Sequence, residues 1–150
     1  MATASVPESE LSTGLLLFLP YRALESRVFA VLASAGFDDF TPAQARVLQR
    51  VGPDGTRLTE LAGQAQITKQ TAGFLVDQLE KAGYVTREPD PSDRRARLVC
   101  LAERARAAQP VAARVVAEVE AEWEAHLGKR RMAQLRQSLT LLREITDPYA

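Results

Sequence analysis

Apolar residues recur at spacings of three and four along most of the chain. Over one short stretch the spacing drops to two. Leu24, Val28, Val31, Leu32 and Ala35 share one face of a helix predicted from Leu11 to Ala35. Pro20 is expected to kink or restart that helix, and Gly36 to end it. Thr41-Pro42 reads as a helix start, with a capping hydroxyl and a proline where no N–H is needed. Gly52-Pro53-Asp54-Gly55 is a turn. A short helix is predicted over Leu58–Gln64, capped by Thr59, and Gln66-Ile67 breaks the pattern. Thr68 caps the next helix, whose apolar positions are Phe74, Leu75, Val76 and Leu79 up to Gly83.

The period then changes. Tyr84–Glu88 and Arg97–Leu101 alternate as strands, and Pro89–Asp93 between them reads as turn alone. Helical spacing returns from Ala102 to His126, with Pro110 expected to bend or interrupt it. Val116, Val119, Trp123 and Leu127 form its stripe. A last helix spans Lys129–Thr146 with Leu135, Leu139, Leu142 and Ile145 on one side. Residues 1 to 10, rich in Ser, Thr, Pro and Glu, read as a frayed arm.

The fold class expected is therefore mainly α with a small β-hairpin: one unit over residues 1–150, with a helix-turn-helix and hairpin at 41–101. The flanking helices, 11–35 and 103–146, carry apolar stripes far apart in sequence. Burying them against the same helices of a second chain is the economical solution, so a homodimer is expected.

Composition narrows the chemistry. With 46% hydrophobic and 25% charged residues the chain is an ordinary globular protein rather than a disordered one. The apolar run Leu15–Leu19 is too short to span a bilayer. No basic leader precedes it, so a cytoplasmic protein without membrane association is expected. One cysteine, Cys100, and one histidine, His126, exclude an intrachain disulfide and paired-histidine metal sites, so no metal and no cofactor are expected. Cys100, on the second strand, reads as an inward-facing structural thiol. No nucleophile stands near a base and no Gly-rich phosphate loop is present, so an enzyme is not expected.

The net charge is zero, so any nucleic-acid signal must come from where the charges lie. Two places stand out. The helix after the tight turn opens with Thr68, Lys69, Gln70 and Thr71, and Ala62 is small where the two short helices cross. A helix of this kind can enter a major groove by its N-terminal residues. Thr68 and Thr71 suit phosphates, Gln70 an adenine edge, and Lys69 a phosphate or a guanine. The competing reading is a polar, solvated helix start whose threonines only cap. The second place is the hairpin tip, Ser92, Asp93, Arg94, Arg95 and Arg97. From Arg94 to Arg106 five arginines face one acid, Glu103. A guanidinium on a narrow hairpin suits a minor groove, and Asp93 could brace an arginine through a bidentate ion pair. The competing reading is a solvated charged turn.

Helix-turn-helix, then Gly83-Tyr-Val-Thr-Arg87, then Asp93-Arg94-Arg95-Ala96-Arg97 ahead of an apolar strand, resembles the MarR family of bacterial transcription regulators. Thr41-Pro-Ala-Gln-Ala-Arg-Val-Leu48 resembles the family's second helix. The resemblance implies a homodimeric winged helix-turn-helix protein with N- and C-terminal dimerisation helices. It implies double-stranded DNA as partner, with recognition helices from Thr68 in successive major grooves of a pseudo-palindrome. Arg95 would enter the minor groove, and Arg94 and Arg97 would lie near the backbone. It also implies repression, often relieved by a small aromatic or phenolic ligand. Tyr21, Phe40 and Arg46 are candidates for a ligand site, although core packing or a solvated helix face explains them as well; Phe18, Phe29, Phe37 and Arg50 are weighed in the same way. The sequence departs from the family pattern at Ala102, where a capping Thr or Ser is usual, and at Lys129-Arg130-Arg131, where acids are usual. The alternative function is a protein-interaction module on a winged scaffold that does not bind DNA.

Overall fold

The computed structural model describes residues 10–149, so the arm expected at residues 1 to 10 lies almost entirely outside the described residues. Ser12 accepts a hydrogen bond from the Leu15 N–H at 3.2 Å and opens helix α1 (Thr13–Ser34). α1 passes through Pro20 without a break, and α5 (Glu103–Leu127) likewise passes through Pro110. The expectation that these prolines restart or interrupt their helices is therefore corrected. A proline removes one ladder hydrogen bond, but α1 and α5 pack against each other, and that contact supports the helix on either side of it.

Gly36, at φ 94°, ends α1 as expected. The Phe37 N–H reaches back to the Leu32 carbonyl at 2.9 Å and the Gly36 N–H to that of Ala33 at 3.1 Å, the paired bonds of a glycine-terminated helix. α2 (Pro42–Leu48) opens with a reciprocal cap: the Gln44 N–H donates to Thr41 Oγ1, and the Thr41 N–H donates to Gln44 Oε1. The buried Gln44 amide also donates to Gln78 Oε1 at 2.8 Å, which ties α2 to the helix after the turn.

A two-residue strand not expected from the sequence, β1 (Thr56–Arg57), leads directly into α3 (Leu58–Gln64). Arg57, whose side chain makes no capping bond, occupies the cap position expected for Thr59. The chain leaves a paired strand with Arg57 already extended, so the helix begins one residue before Thr59. α4 (Lys69–Lys81) follows, capped by Thr68, and buries Ala72, Leu75, Val76 and Leu79. Phe74 is 62% exposed, contrary to its expected place among the apolar positions. With Leu75, Val76 and Leu79 already facing the core, Phe74 falls on the opposite side of the helix.

β2 (Val85–Asp90) and β3 (Asp93–Leu101) form an antiparallel hairpin, and β1 adds to the other edge of β3, giving the order β1-β3-β2. The hairpin is longer than expected. Pro89 pairs with Arg97, Asp90 pairs with Asp93 across a bulge, and only Pro91 and Ser92 remain as loop. Pro89 is tolerated because β2 is an edge strand. α5 starts after Ala102 without a side-chain cap, and α6 (Lys129–Thr146) starts after Gly128.

The core lies inside the helix-turn-helix lobe. Val47, Leu61, Val76, Leu79 and Tyr84 are fully buried there, with Val85 and Val99 closing it from the sheet. On α5, Val115 and Val119 are buried. The last helix reaches back to the lobe through Arg50–Asp147 at 3.2 Å and a Gln66 amide bond to the Thr146 carbonyl at 3.1 Å. The terminal helices also leave Leu15–Leu19, Leu139, Leu141, Leu142 and Ile145 exposed. Among the described residues no helix is long and apolar enough to cross a membrane.

A candidate nucleic-acid interface

The first turn of α4 is presented whole. Thr68, Lys69, Gln70 and Thr71 are all exposed. Thr68 Oγ1 accepts the Thr71 N–H at 3.1 Å, and its own hydroxyl donates to Thr71 Oγ1 at 2.8 Å. Thr68 is thus a cap whose proton is already engaged, whereas the Thr71 hydroxyl keeps its proton free to donate. The sequence reading of both threonines as equal phosphate donors is refined by this geometry. Ala62, 4% exposed, is buried on α3. Asp77 and Glu80, two acids on the same helix, both face Arg87 of β2, at 2.7 and 3.0 Å. That clasp offsets their charge and fixes α4 to the sheet.

The hairpin tip is built around a residue that sequence reasoning did not single out. Asp90 is buried to 7% exposure. One of its oxygens accepts the Ser92 N–H at 2.8 Å and the Ser92 hydroxyl at 2.7 Å, and the other faces Arg57 Nε at 2.8 Å. These bonds, Ser92 first and Arg57 after it, hold the Asp90 carboxyl below the ordinary carboxylate range. Arg57 therefore straps the tip to β1. The Asp-Pro-Ser-Asp run marked a turn, but nothing in the sequence pointed to an arginine 33 residues away.

Asp93 does not make the bidentate ion pair expected of it. Its Oδ1 accepts the Arg95 backbone N–H at 3.0 Å, and its Oδ2 lies 4.0 Å from Arg57. One carboxylate oxygen is engaged by a backbone N–H in a local turn bond and only the other lies near a guanidinium, so no arginine fork meets both. It orders the backbone of the tip and leaves the arginines unspent. Arg94, Arg95 and Arg97 are exposed and form no ion pair among the described residues. Ser92 is engaged with Asp90, so its part in the tip is to hold the turn.

A second feature lies behind the lobe. A cavity of about 290 Å³ opens between α1, α2 and α5, with Tyr21, Val28, Phe29, Phe40 and Tyr84 among its walls. Tyr21 and Phe40, two of the residues named as candidates, line it. Phe29 joins them, while Phe37 packs against the lobe core. Arg46 does not face this cavity as a free cation. It pairs with Glu25 at 3.3 Å, and Glu25 also accepts from Tyr21 at 2.9 Å and from Arg22. Burial pushes the Glu25 carboxyl up, but the bonds from Tyr21 and Arg22 and the charge of Arg46 outweigh it, and the net shift is down. Arg50 is likewise spent, on Asp147.

Phe40 stacks edge-on against Tyr84 at 5.1 Å, and Tyr84 is the last residue of the connection that carries α4 into β2. The Tyr84 hydroxyl donates to Asp39 Oδ1 at 2.5 Å. Arg104 donates to Asp39 at 2.7 Å and to the Ala82 carbonyl at 2.7 Å, and lies over the Tyr84 ring. Burial first, then the Asp39 bond, raises the Tyr84 hydroxyl well above its ordinary pKa, and the same bond holds Asp39 low. The cavity wall and the end of α4 thus share one side chain. Cys100 is half-buried, and desolvation raises its thiol above the ordinary value, which keeps it protonated. Among the described residues no cluster of His, Cys, Asp or Glu could hold a metal ion.

Known proteins share these features. A curated protein of Bacillus subtilis (strain 168), the uncharacterized HTH-type transcriptional regulator YcgE, is 45% identical over 51 residues, which is 34% of this chain; the match spans about a third of that relative's length, 32%. CouR from Rhodococcus jostii RHA1 bound to p-coumaroyl-CoA superposes with a TM-score of 0.69 at 25% identity, over 90% of this chain and 92% of that one. A MarR family protein of Mycobacterium tuberculosis in complex with salicylic acid does so with a TM-score of 0.62 at 28% identity, over 89% and 97%. The sequence model of the MarR family matches residues 38–96, which are the helix-turn-helix and the wing up to its arginines. The lobe and wing are thus similar in sequence, and the lobe, wing and flanking helices similar in fold, to MarR family transcriptional regulators.

Proposed function

We propose that the chain acts in the cytoplasm as a homodimeric, sequence-specific double-stranded DNA-binding transcription regulator. It represses from a pseudo-palindromic operator and is released by a small aromatic or phenolic ligand. The observation that carries the DNA reading is the wing. Three arginines, Arg94, Arg95 and Arg97, project unpaired from a tip that Asp90 and Arg57 hold rigid. A rigid fork of unspent cations is what a groove flanked by phosphates attracts. The exposed first turn of α4 supplies base and phosphate contacts through Lys69, Gln70 and Thr71, with Ser92 and Asp93 shaping the wing. Thr68 holds the helix start at the phosphates, where the free N–H groups of the first turn favour an anion.

The dimer reading rests on the exposed leucines of α1 and α6, which a second copy of the same helices would cover. The ligand reading rests on the cavity beside Phe40 and Tyr84, together with the ligands named for the two relatives above. Tyr21 and Phe40 would line that site. Arg46 would meet a ligand only by leaving Glu25.

Selection of bound duplexes from a random library tests the proposal. An inverted repeat with half-sites about one helical turn apart is the expected result. Binding that is weak, insensitive to salt and without sequence preference would overturn it. The protein-interaction alternative would then be taken up by capture of partners in the absence of DNA.

A further inference from the structure

Phe74 is the most out-of-place side chain on α4. It is 62% exposed, although the buried face of the helix is complete without it in Ala72, Leu75, Val76 and Leu79. It is also isolated. Among the described residues it is the only large hydrophobic side chain exposed between Val31 and Leu139. A protein-binding patch would need apolar neighbours, and its helical neighbours are Gln70, Thr71, Gln78 and Asp77, the last paired with Arg87. What it adjoins is the face that carries Lys69, Gln70 and Thr71.

In a major groove the one apolar feature on a base edge is the C5-methyl group of thymine. We infer that Phe74 is a specificity-determining residue that packs on a thymine methyl in each half-site, next to the base read by Gln70. The inference rests on the DNA-binding reading above. Its geometry is restrictive. Phe74 lies four residues beyond Gln70, so about 6 Å along the helix, which spans about two base steps of about 3.4 Å. The methyl that it covers belongs within two base pairs of the position set by Gln70. A ring this bulky disfavours a cytosine there, which would leave its N4 amino donor buried against an apolar face.

The test uses the full chain and the duplex that it selects from a random library. Each thymine of a half-site is replaced in turn by deoxyuridine, which removes the methyl and nothing else. One position should weaken binding by the wild type by about fourfold, the value of one buried methyl group. The same replacement should leave binding by Phe74→Ala unchanged. Phe74→Leu should keep part of the discrimination, and because the position is exposed both variants should fold, as a thermal melt would verify. Equal sensitivity to deoxyuridine in the wild type and Phe74→Ala would overturn the inference, as would a half-site with no sensitive thymine. If the wild type selects no duplex at all, the DNA-binding reading falls first and this assignment falls with it.

Discussion

The helix-turn-helix lobe and the terminal helices solve the same burial problem differently. In the lobe, Val47, Leu61, Val76, Leu79 and Tyr84 reach zero exposure using only residues of their own chain. In α1 and α6, Leu16 is 52% exposed, Leu141 56% and Ile145 83%. Both regions follow the same helical spacing of apolar residues. The lobe bends back on itself through turns and a three-stranded sheet, so its faces meet. α1 and α6 are long, unbroken helices that pack on α5 and still leave apolar residues exposed. An apolar stripe therefore states that a face must be covered, and the topology decides whether the chain can cover it alone.

Several experiments would break or sharpen this contrast. The largest effect is expected at the centre of the lobe. Tyr84→Ala removes a fully buried ring together with its bonds to Asp39 and its stacking on Phe40, and should cost about 3–5 kcal/mol by urea denaturation at fixed protein concentration. Ile145→Ala is the matched control in the other region. A change within about 0.5 kcal/mol is expected if that helix end stays exposed, and a larger loss would show that a partner covers it.

Next comes the seam between copies. Leu16→Asp should weaken self-association by about 30-fold, about 2 kcal/mol, as sedimentation equilibrium would measure, while the lobe stays folded. No change in association would mean that α1 does not contribute to the seam. At the wing, Arg95→Ala should cost about 1–3 kcal/mol of DNA affinity and lower the salt slope by about one, with the fold intact. Equal affinity would remove Arg95 from the interface.

The smallest effect concerns acid. Asp90 and Asp39 are both held below the ordinary carboxylate range in the folded chain. As pH falls below that ordinary range the unfolded state takes up protons first, so the stability these groups provide is complete above it and is lost toward lower pH. Asp90→Asn should therefore flatten the acid limb of a melting-temperature series below about pH 4. An unchanged limb would mean that the strap between Arg57 and the tip adds nothing to stability.

Features that depend on neighbours in sequence were legible. Thr41 with Pro42, Thr68, Gly36 and the turn at Gly52–Gly55 mark element ends because caps and turns are made by residues within about four positions. The exposed first turn of α4 and the arginine-rich tip were legible for the same reason. Features that depend on distant partners were not. β1 is two residues long and carries no period of its own; it pairs because β3 offers it an edge. Pro89 looked like turn, and became strand because β2 lies at the border of the sheet. Asp93 was the visible candidate to brace the tip, yet the brace is Asp90, through Arg57 from another part of the chain. Phe74 counted as core because it stands in an apolar run, and such a run does not say which of its residues the lobe will bury.

On its own, then, the amino-acid order determined the number and kind of the helices, where most of them begin and end, and which short segments carry unspent polar and basic groups. These are consequences of local backbone preference and of a period repeated every few residues. Only the tertiary structure decided which cations remain free, as it spent Arg46 and Arg50 on Glu25 and Asp147 and left Arg94, Arg95 and Arg97 open. It alone decided which apolar faces find cover. Both outcomes turn on charges and surfaces meeting across many intervening residues, and such meetings are settled when the elements pack.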